Sequence, residues 1–552
     1  MTLTTIPSIQ GGDLESPLAG KTFTTRGVVI GNARKGYFIQ DPASCDTAGV
    51  SSGVFIFSRR RDMPVGALVE VTGKVLNFVK KDGDRPTTQI KEKEVSVLDT
   101  RGPEITPVWL TSASVPKGAE ELAYFLNGLE GMLVGVQSGA VFIAPSNPFG
   151  DYVVAPPDAG DVFNSNGGIL IDPEEPERWF PGFRIADYSK APQINVGAKL
   201  LEPISGPLNY RSGAYQIAIE GPIQTAEKSV QPARTKWTPD DGHITILTLN
   251  GFNLDVHVER RSKVQSPRFD VDDDVGDGRF YSLAHAVVDQ AGCPDIVALQ
   301  EIQDNDGAEL TKVVDASETY KELINAISHL GGPVYDWAEI PPVAGADGGQ
   351  PGGNIRNAFL YNPERVELVD SSLCLFGLES EVFEGSRKPL IARFRARSTS
   401  AELAVINIHL ASKRHQHSIF APAQPGFDPK LQLRVQQAKV IRDMLLKLID
   451  EGVNYYVTGD FNDVEFSETL HAMTGAESIN LLETLPADDR FDYNHRGKLQ
   501  ALMHGIVSKQ QAENGRAGYE TLHGNELIGV QPGELGTKPT DHAYVLARLA
   551  ID

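Results

Sequence analysis

A chain of 552 residues is too long for one hydrophobic core and implies about two to four domains. Its net charge of −22 excludes a protein that coats nucleic acid through a basic surface, because that binding needs Lys and Arg to neutralise phosphates. Three cysteines, Cys45, Cys293 and Cys374, are too few and too scattered for a disulfide framework or a zinc site.

The start, Met1 to Ser8, lacks the basic and apolar regions of a secretory leader, and no later run approaches the roughly 18 apolar residues of a membrane span. The expectation is a cytoplasmic chain without a transmembrane segment. Charge is uneven: residues 1–110 hold 14 Lys/Arg against 12 Asp/Glu, so the negative excess lies further on. A carboxylate-rich region of that kind still accepts phosphate once divalent cations occupy it.

Residues 1–110 read as short strands between turns: Thr24–Ile30, Gly36–Gln40, Gly53–Phe57, Ala67–Val75 and Thr88–Lys91. Five such runs suit a small closed barrel. The succession Gly-Val-Val, Gly-Tyr-Phe-Ile-Gln-Asp-Pro, Gly-Val-Phe-Ile-Phe and Val-Gly-Ala-Leu-Val-Glu-Val-Thr-Gly resembles the N-terminal OB-like domain of bacterial extracellular nucleases. Arg59, Arg60, Arg61, Lys80, Lys81 and Lys91 stand near Phe55, Phe57 and Phe78, a mixture that binds single strands by charge and stacking or else forms an ordinary charged face.

Val196 to Tyr210 echoes Val65 to Phe78, and Gly131-Met-Leu-Val-Gly echoes Gly27-Val-Val-Ile-Gly, so residues 111–228 are expected to form a second OB-like barrel. Its interior stretch 145–190, rich in Pro, Gly and Asp, is expected to form long loops. Residues 229–242, with Pro at 232 and 239, read as a linker.

From residue 243 to 552 strands alternate with helices. Strands are expected at 243–249, 295–300 and 455–458, and helices at 280–290 and 317–330. Leu431, Val435, Ala438, Ile441, Leu445 and Leu448 recur at helical spacing. Polar residues follow the strand ends, where open α/β sheets place ligands: Asn250 and Asn253, Glu301, Arg356 and Tyr361, His409, Lys413, Asp460 and Asn462, and Asp541 with His542. Glu301, Asp460, Asn462 and Asp541 supply the oxygen donors that Mg²⁺ or Mn²⁺ prefer.

This ordered series, with Arg387-Lys-Pro-Leu390 before the His409 strand, resembles the endonuclease/exonuclease/phosphatase superfamily of DNase I-like enzymes over residues 243–550. The resemblance implies a four-layer αββα sandwich and metal-dependent, in-line hydrolysis of a phosphodiester. By it, Glu301 ligates the metal with help from Asn250 and Asp541. Asp460 and Asn462 hold the attacking water, and His542 takes its proton. Tyr361 and His409 stabilise phosphate oxygens, and Arg356, Arg387, Asn253 and Lys413 meet the substrate.

One position departs from the pattern: Ala501-Leu-Met-His has Met503 where the family commonly carries an Asp that bonds the catalytic histidine. Either activity is reduced or another group takes that role. The acidic run Asp270 to Asp277 lacks the spacing of an EF-hand, so Ca²⁺ is weakly supported and a solvated loop is expected. The leading expectation is a nuclease acting on DNA, with RNA second. Its rivals are a phosphodiesterase of phospholipids, inositol phosphates or small phosphodiesters, and a nucleic-acid-binding protein with a degenerate site.

Overall fold

The structure, a computed structural model, describes residues 3–551 apart from 44–48, 61, 82, 161, 414–417, 422–427 and 536–537. Cys45 and Arg61 lie outside the described residues.

Near the N-terminus the strands Thr22–Ala33, Gly36–Gln40, Gly53–Phe57, Leu68–Phe78 and Thr87–Asp99 pair in the order first, second, third, fifth, fourth, and the fourth returns to the first as a closed ring. Period-two alternation sends Val54, Ile56, Val69, Val71, Val75 and Ile90 inward, where they pack with Ile6 and Ile9 of the Ile6–Gln10 helix. Outside, Phe57 sits opposite Lys91 and Phe78 opposite Thr87. These two phenylalanines are 40% and 46% exposed.

Among the described residues the expected second closed barrel does not form. Between Val108 and Ala226 nine strands follow an open order that ends at Val108–Trp109 on one side and Thr225–Ala226 on the other. Both end strands and two others are only two residues long, too short to carry the tilt and stagger that closure demands. The stretch expected as loops supplies two strands of that sheet, Asp151–Ala155 and Gly182–Ile185. Nor does the linker hang free: Ala233 N donates to His523 O, Thr235 N donates to Gln290 O, and Trp237 packs against the C-terminal core.

That core is layered. A six-stranded sheet contains the parallel strands His243–Leu254 and Ile296–Ile302, with Arg356–Tyr361 antiparallel beside the latter. A second sheet contains the parallel strands Glu402–His409 and Tyr455–Asp460, with Met503–Ser508 antiparallel beside them. Ile244, Ile246, Ala298, Phe359, Phe394, Val405 and Met503 fill the space between the sheets. Leu283 of the Arg279–His285 helix and Leu323 and Ile327 of the Ser317–His329 helix cover the outside of the first sheet. Ala438, Ile441, Leu445 and Leu448 of the Leu431–Asp450 helix cover the second, as their spacing requires.

Toward the functional end the apolar filling gives way to a buried polar seam. Thr248 and Thr458 hydroxyls meet at 2.5 Å, Gln300 Nε2 donates to Asn407 Oδ1 at 2.7 Å, and Asn407 Nδ2 donates to the carbonyls of Leu299 and Ala358. Gln300 Oε1 has no partner among the described residues, but the bonds that are made tie the two sheets together and hold their strand ends at one level.

Candidate active site

At that level each sheet has a left-handed residue, one within the strand Ile296–Ile302 and one just after the strand Tyr455–Asp460. Glu301 has φ 54° and Asn462 φ 53°, conformations that cost a non-glycine residue energy and persist where the surroundings dictate them. Within the second sheet Gly459 has φ 135°, and a Cβ there would meet Ile408 O at 1.9 Å. Only glycine lets the Asp460 strand run so close to the His409 strand, where His409 and Asp460 are direct partners in the ladder.

Glu301, His409 and Asp460 converge: one donor atom from each lies within 4.8 Å of the others. His409 Nε2 is 3.7 Å from both Glu301 Oε1 and Asp460 Oδ2. Burial and the charges of Asp541 and Asp460 push the Glu301 carboxyl up to about 7, against the pull of Arg387 and a hydrogen bond from Asn250. Burial likewise lifts Asp460 to about 6, while His542, the Asn462 backbone N–H and Arg387 pull it down. Buried carboxylates raised in this way, Glu301 partly by the charge of Asp460, form a site ready for a cation. Burial, and then the charges of Arg387 and His542, keep His409 well below its usual value and therefore neutral. Its Nδ1 is buried without a partner among the described residues.

His542 faces the same cluster, with Nε2 3.9 Å from Asp460 Oδ2 and from Asp541 Oδ1. Its other nitrogen, Nδ1, is 2.8 Å from Asp492 Oδ1. Burial alone would lower this imidazole, but the Asp492 hydrogen bond and the charges of Asp541 and Asp460 lift it to about 10. Asp492 is in turn gripped by the backbone N–H groups of Leu502 and Met503, at 2.8 and 2.9 Å on Oδ2. Met503 thus contributes its backbone, while its side chain is buried between the sheets.

The structure separates the remaining candidates. Arg387 is inside, buried, its NH2 donating to Leu410 O at 3.0 Å and its charge acting on Glu301 and Asp460. Asn462 Nδ2 donates to Leu410 O, and its N–H caps Asp460 Oδ1 at 2.8 Å. Asp541 flanks His542 and stays outside the trio. Asn253 forms part of an irregular left-handed turn, φ 60°, between Asn250 and Leu254. Lys413 pairs with Asp463 at 3.4 Å.

Two expectations are corrected. Tyr361 pairs with Ile296, the opposite end of the strand from Glu301, because its own strand runs antiparallel; it packs against Phe394. Arg356 is held mainly by structure: its Nε donates to Asn354 O and its NH1 to Glu339 Oε2 at 3.0 Å and to Val314 O, while NH2 is buried without a partner among the described residues. The phenol beside the cluster is Tyr493, whose ring lies 4.9 Å from that of His542. Burial and the charges of Asp541, Asp460 and Glu301 raise its pKa far above the usual tyrosine value. No motif marked Asp492 or Tyr493, since both depend on a hairpin, Tyr493–His495 with Lys498–Gln500, that folds back onto the site.

The acidic run is only in part a solvated loop: Asp273 and Asp277 are exposed. Asp270 and Asp274 are buried, and Asp272 gathers with Asp255 and Glu259 so that their oxygens lie within 4.8 Å of one another. Burial and the charges of its neighbours push Asp255 up to about 10 and Asp272 to about 7, while Arg279 balances Asp274.

Residues 117–228 match a family model described as a domain of unknown function, DUF8508. No curated protein matches the chain. Among solved structures the chain is similar to an endonuclease/exonuclease/phosphatase from Bacteroides vulgatus, at 14% identity over 56% of this chain and 99% of that one, with a TM-score of 0.36. It is similar to the human Nocturnin catalytic domain at 16% identity over 56% of this chain and 94% of that one, with a TM-score of 0.36. It is also similar to a humanized TDP2 of D. rerio at 14% identity over 55% and 98% of the two chains, with a TM-score of 0.35.

Proposed function

We propose that the chain is a metal-dependent phosphodiesterase that hydrolyses nucleic acid, DNA first, and that residues 243–552 carry the chemistry. The observation that carries this reading is the meeting of Glu301, His409 and Asp460 within 4.8 Å, under the imidazole of His542. The donor set fits a hard divalent cation such as Mg²⁺ or Mn²⁺, with Glu301 as the main ligand and Asn250 and Asp541 in support. Such a cation, when bound, polarises a phosphoryl oxygen as a Lewis acid.

The chain's own groups divide the remaining work. Asp460 and Asn462 orient the attacking water. Asp492 fixes the tautomer of His542, leaving Nε2 to exchange the proton at the reacting oxygen. Neutralising any of the carboxylates that lift His542 brings it down toward the range where an imidazole accepts a proton. Neutral His409, Arg387 and the Tyr493 hydroxyl face the phosphate oxygens.

A polymeric substrate is supported by the N-terminal ring, which we read as an OB-like domain from its five-strand order. Exposed Phe57 and Phe78 alternate there with Lys91 and Lys74, a surface on which bases stack and phosphates pair. Incubating plasmid, a single-stranded oligonucleotide and bis(p-nitrophenyl) phosphate with Mg²⁺, Mn²⁺ or chelator tests the proposal. Metal-dependent cutting of nucleic acid that disappears in Glu301→Gln is expected. Cleavage of the small diester alone moves the substrate class, and binding without cleavage in any metal sinks the catalytic reading.

A further inference from the structure

We infer that the unit at residues 117–228 is a built-in positioning element of the phosphodiesterase site, holding in place the two segments that bring Asp492 and His542 together; the inference rests on the function proposed above. Among the described residues neither segment belongs to the two main sheets. Asp492 and Tyr493 stand on the Tyr493–His495 hairpin arm and its approach, and His542 follows a long connection after the Ala517–Leu522 strand. Segments of this kind need bracing from outside to keep catalytic groups within fractions of an ångström.

The hairpin is braced by strand addition. Ile169–Leu170 pairs in parallel with Lys498 and Leu499, and Ile171 N donates to Leu499 O at 2.8 Å. Gly168 allows the approach, since a Cβ there would meet Leu499 Cδ1 at 2.4 Å. Asn494, next to Tyr493, donates from Nδ2 to Ile143 O at 2.9 Å, and Ser165 N donates to Asp488 Oδ2 at 2.9 Å. Val196 closes an apolar cluster with Phe491, Leu499 and Leu527, the first of them the residue before Asp492.

The second segment is gripped by the same body. Val196 N donates to Leu527 O, Val530 N to Ser146 O, Gly533 N to Pro148 O, and Gln193 Nε2 to Gly529 O. From this segment Asn525 Nδ2 reaches the carbonyl of His542 at 3.0 Å. Between the two, Ala543 N donates to Asp492 O at 2.7 Å and Tyr493 bridges His542. One unit therefore sets the spacing between a carboxylate and an imidazole that stand 50 positions apart.

Asn494→Asp in the full chain tests this. Asp keeps the oxygen that accepts Gly497 N within the hairpin, yet sets a carboxylate against Ile143 O. The expected result is a fall in kcat of at least about 30-fold with KM within about 3-fold, and no more than about 3-fold further loss when Asn494→Asp is added to Asp492→Asn, because both act through one contact. Multiplying losses, or an unchanged kcat, overturn the inference. Hydrogen exchange over residues 491–500 in Asn494→Asp gives a readout independent of activity and is expected to quicken. If the unaltered chain cuts no phosphodiester, the proposed function fails on its own, and unchanged exchange then overturns the positioning role as well.

Discussion

Asp492 Oδ1 lies 2.8 Å from His542 Nδ1, and the backbone N–H of Met503 holds the other oxygen of the same carboxylate at 2.9 Å. The position expected to carry an Asp therefore supports one that arrives from a neighbouring hairpin. A buried imidazole needs such a partner to fix its tautomer and to stabilise its protonated form. Asp492→Asn is expected to fold and to lose at least about 10²-fold in kcat, with KM changed little, since only the protonation geometry of His542 is lost. Steady-state kinetics on a phosphodiester checks this, and an unimpaired kcat removes Asp492 from the machinery.

Met503→Asp, which would restore the familiar pattern, is expected to do harm. The side chain at 503 is fully buried among Val405, Val507 and Tyr519 between the sheets. A carboxylate there finds apolar walls and a like charge at Asp492, a loss of about 2 to 4 kcal/mol in stability. Lower urea midpoint and lower activity together are expected; a gain in turnover would show that position 503 is the better seat.

Much of this architecture is legible in the chain. The helical spacing from Leu431 to Leu448 and the apolar strands ending in Glu301 and Asp460 reflect local periodicity, which depends little on what they pack against. What escapes is whatever pairing decides. Tyr361 stands at a strand end, but antiparallel pairing turns that end away from Glu301. Arg356 looks free until the Asp336–Glu339 strand brings Glu339 beside it. The run from Asp270 looks solvated until Asp255, Glu259 and Arg279 fold over it. The five N-terminal runs announce a ring, whereas the echo after residue 120 carries strands too short to close one.

Tyr493 and Tyr361 offer a paired comparison. The Tyr493 ring lies 4.9 Å from His542 and feels the charges of Asp541, Asp460 and Glu301, whereas Tyr361 packs on Phe394. Tyr493→Phe is expected to lower kcat about 10-fold or more by removing a donor near the phosphate oxygens. Tyr361→Phe is expected to stay within about 2-fold. The reverse ranking, measured on one substrate at saturating metal, contradicts the assignment.

Glu301→Gln keeps the shape of the side chain and removes its charge. Turnover is expected to fall at least about 10²-fold, roughly 2.7 kcal/mol of barrier stabilisation. The metal concentration giving half-maximal activity is expected to rise, because a neutral amide is a poorer ligand for a hard cation. A fully active variant with unchanged metal dependence places the cation elsewhere.

Glu130 joins the N-terminal ring to the middle sheet, its Oε1 accepting from Thr88 N at 3.0 Å, and burial pushes its carboxyl from 4.5 up to about 7, partly opposed by Arg85. A raised acid keeps its proton in the folded state after the unfolded chain has lost it. Its contribution is therefore intact below about pH 4.5, declines as pH rises toward 7, and is gone above that. Over this window the folded protein is expected to lose about 3 kcal/mol through this one group. Glu130→Gln keeps the acceptor for Thr88 without the ionisation, so it is expected to be more stable than the unaltered chain at pH 8 and close to it at pH 4.5. Urea unfolding at the two pH values decides: equal pH slopes for both proteins mean that Glu130 ionises freely in the folded chain.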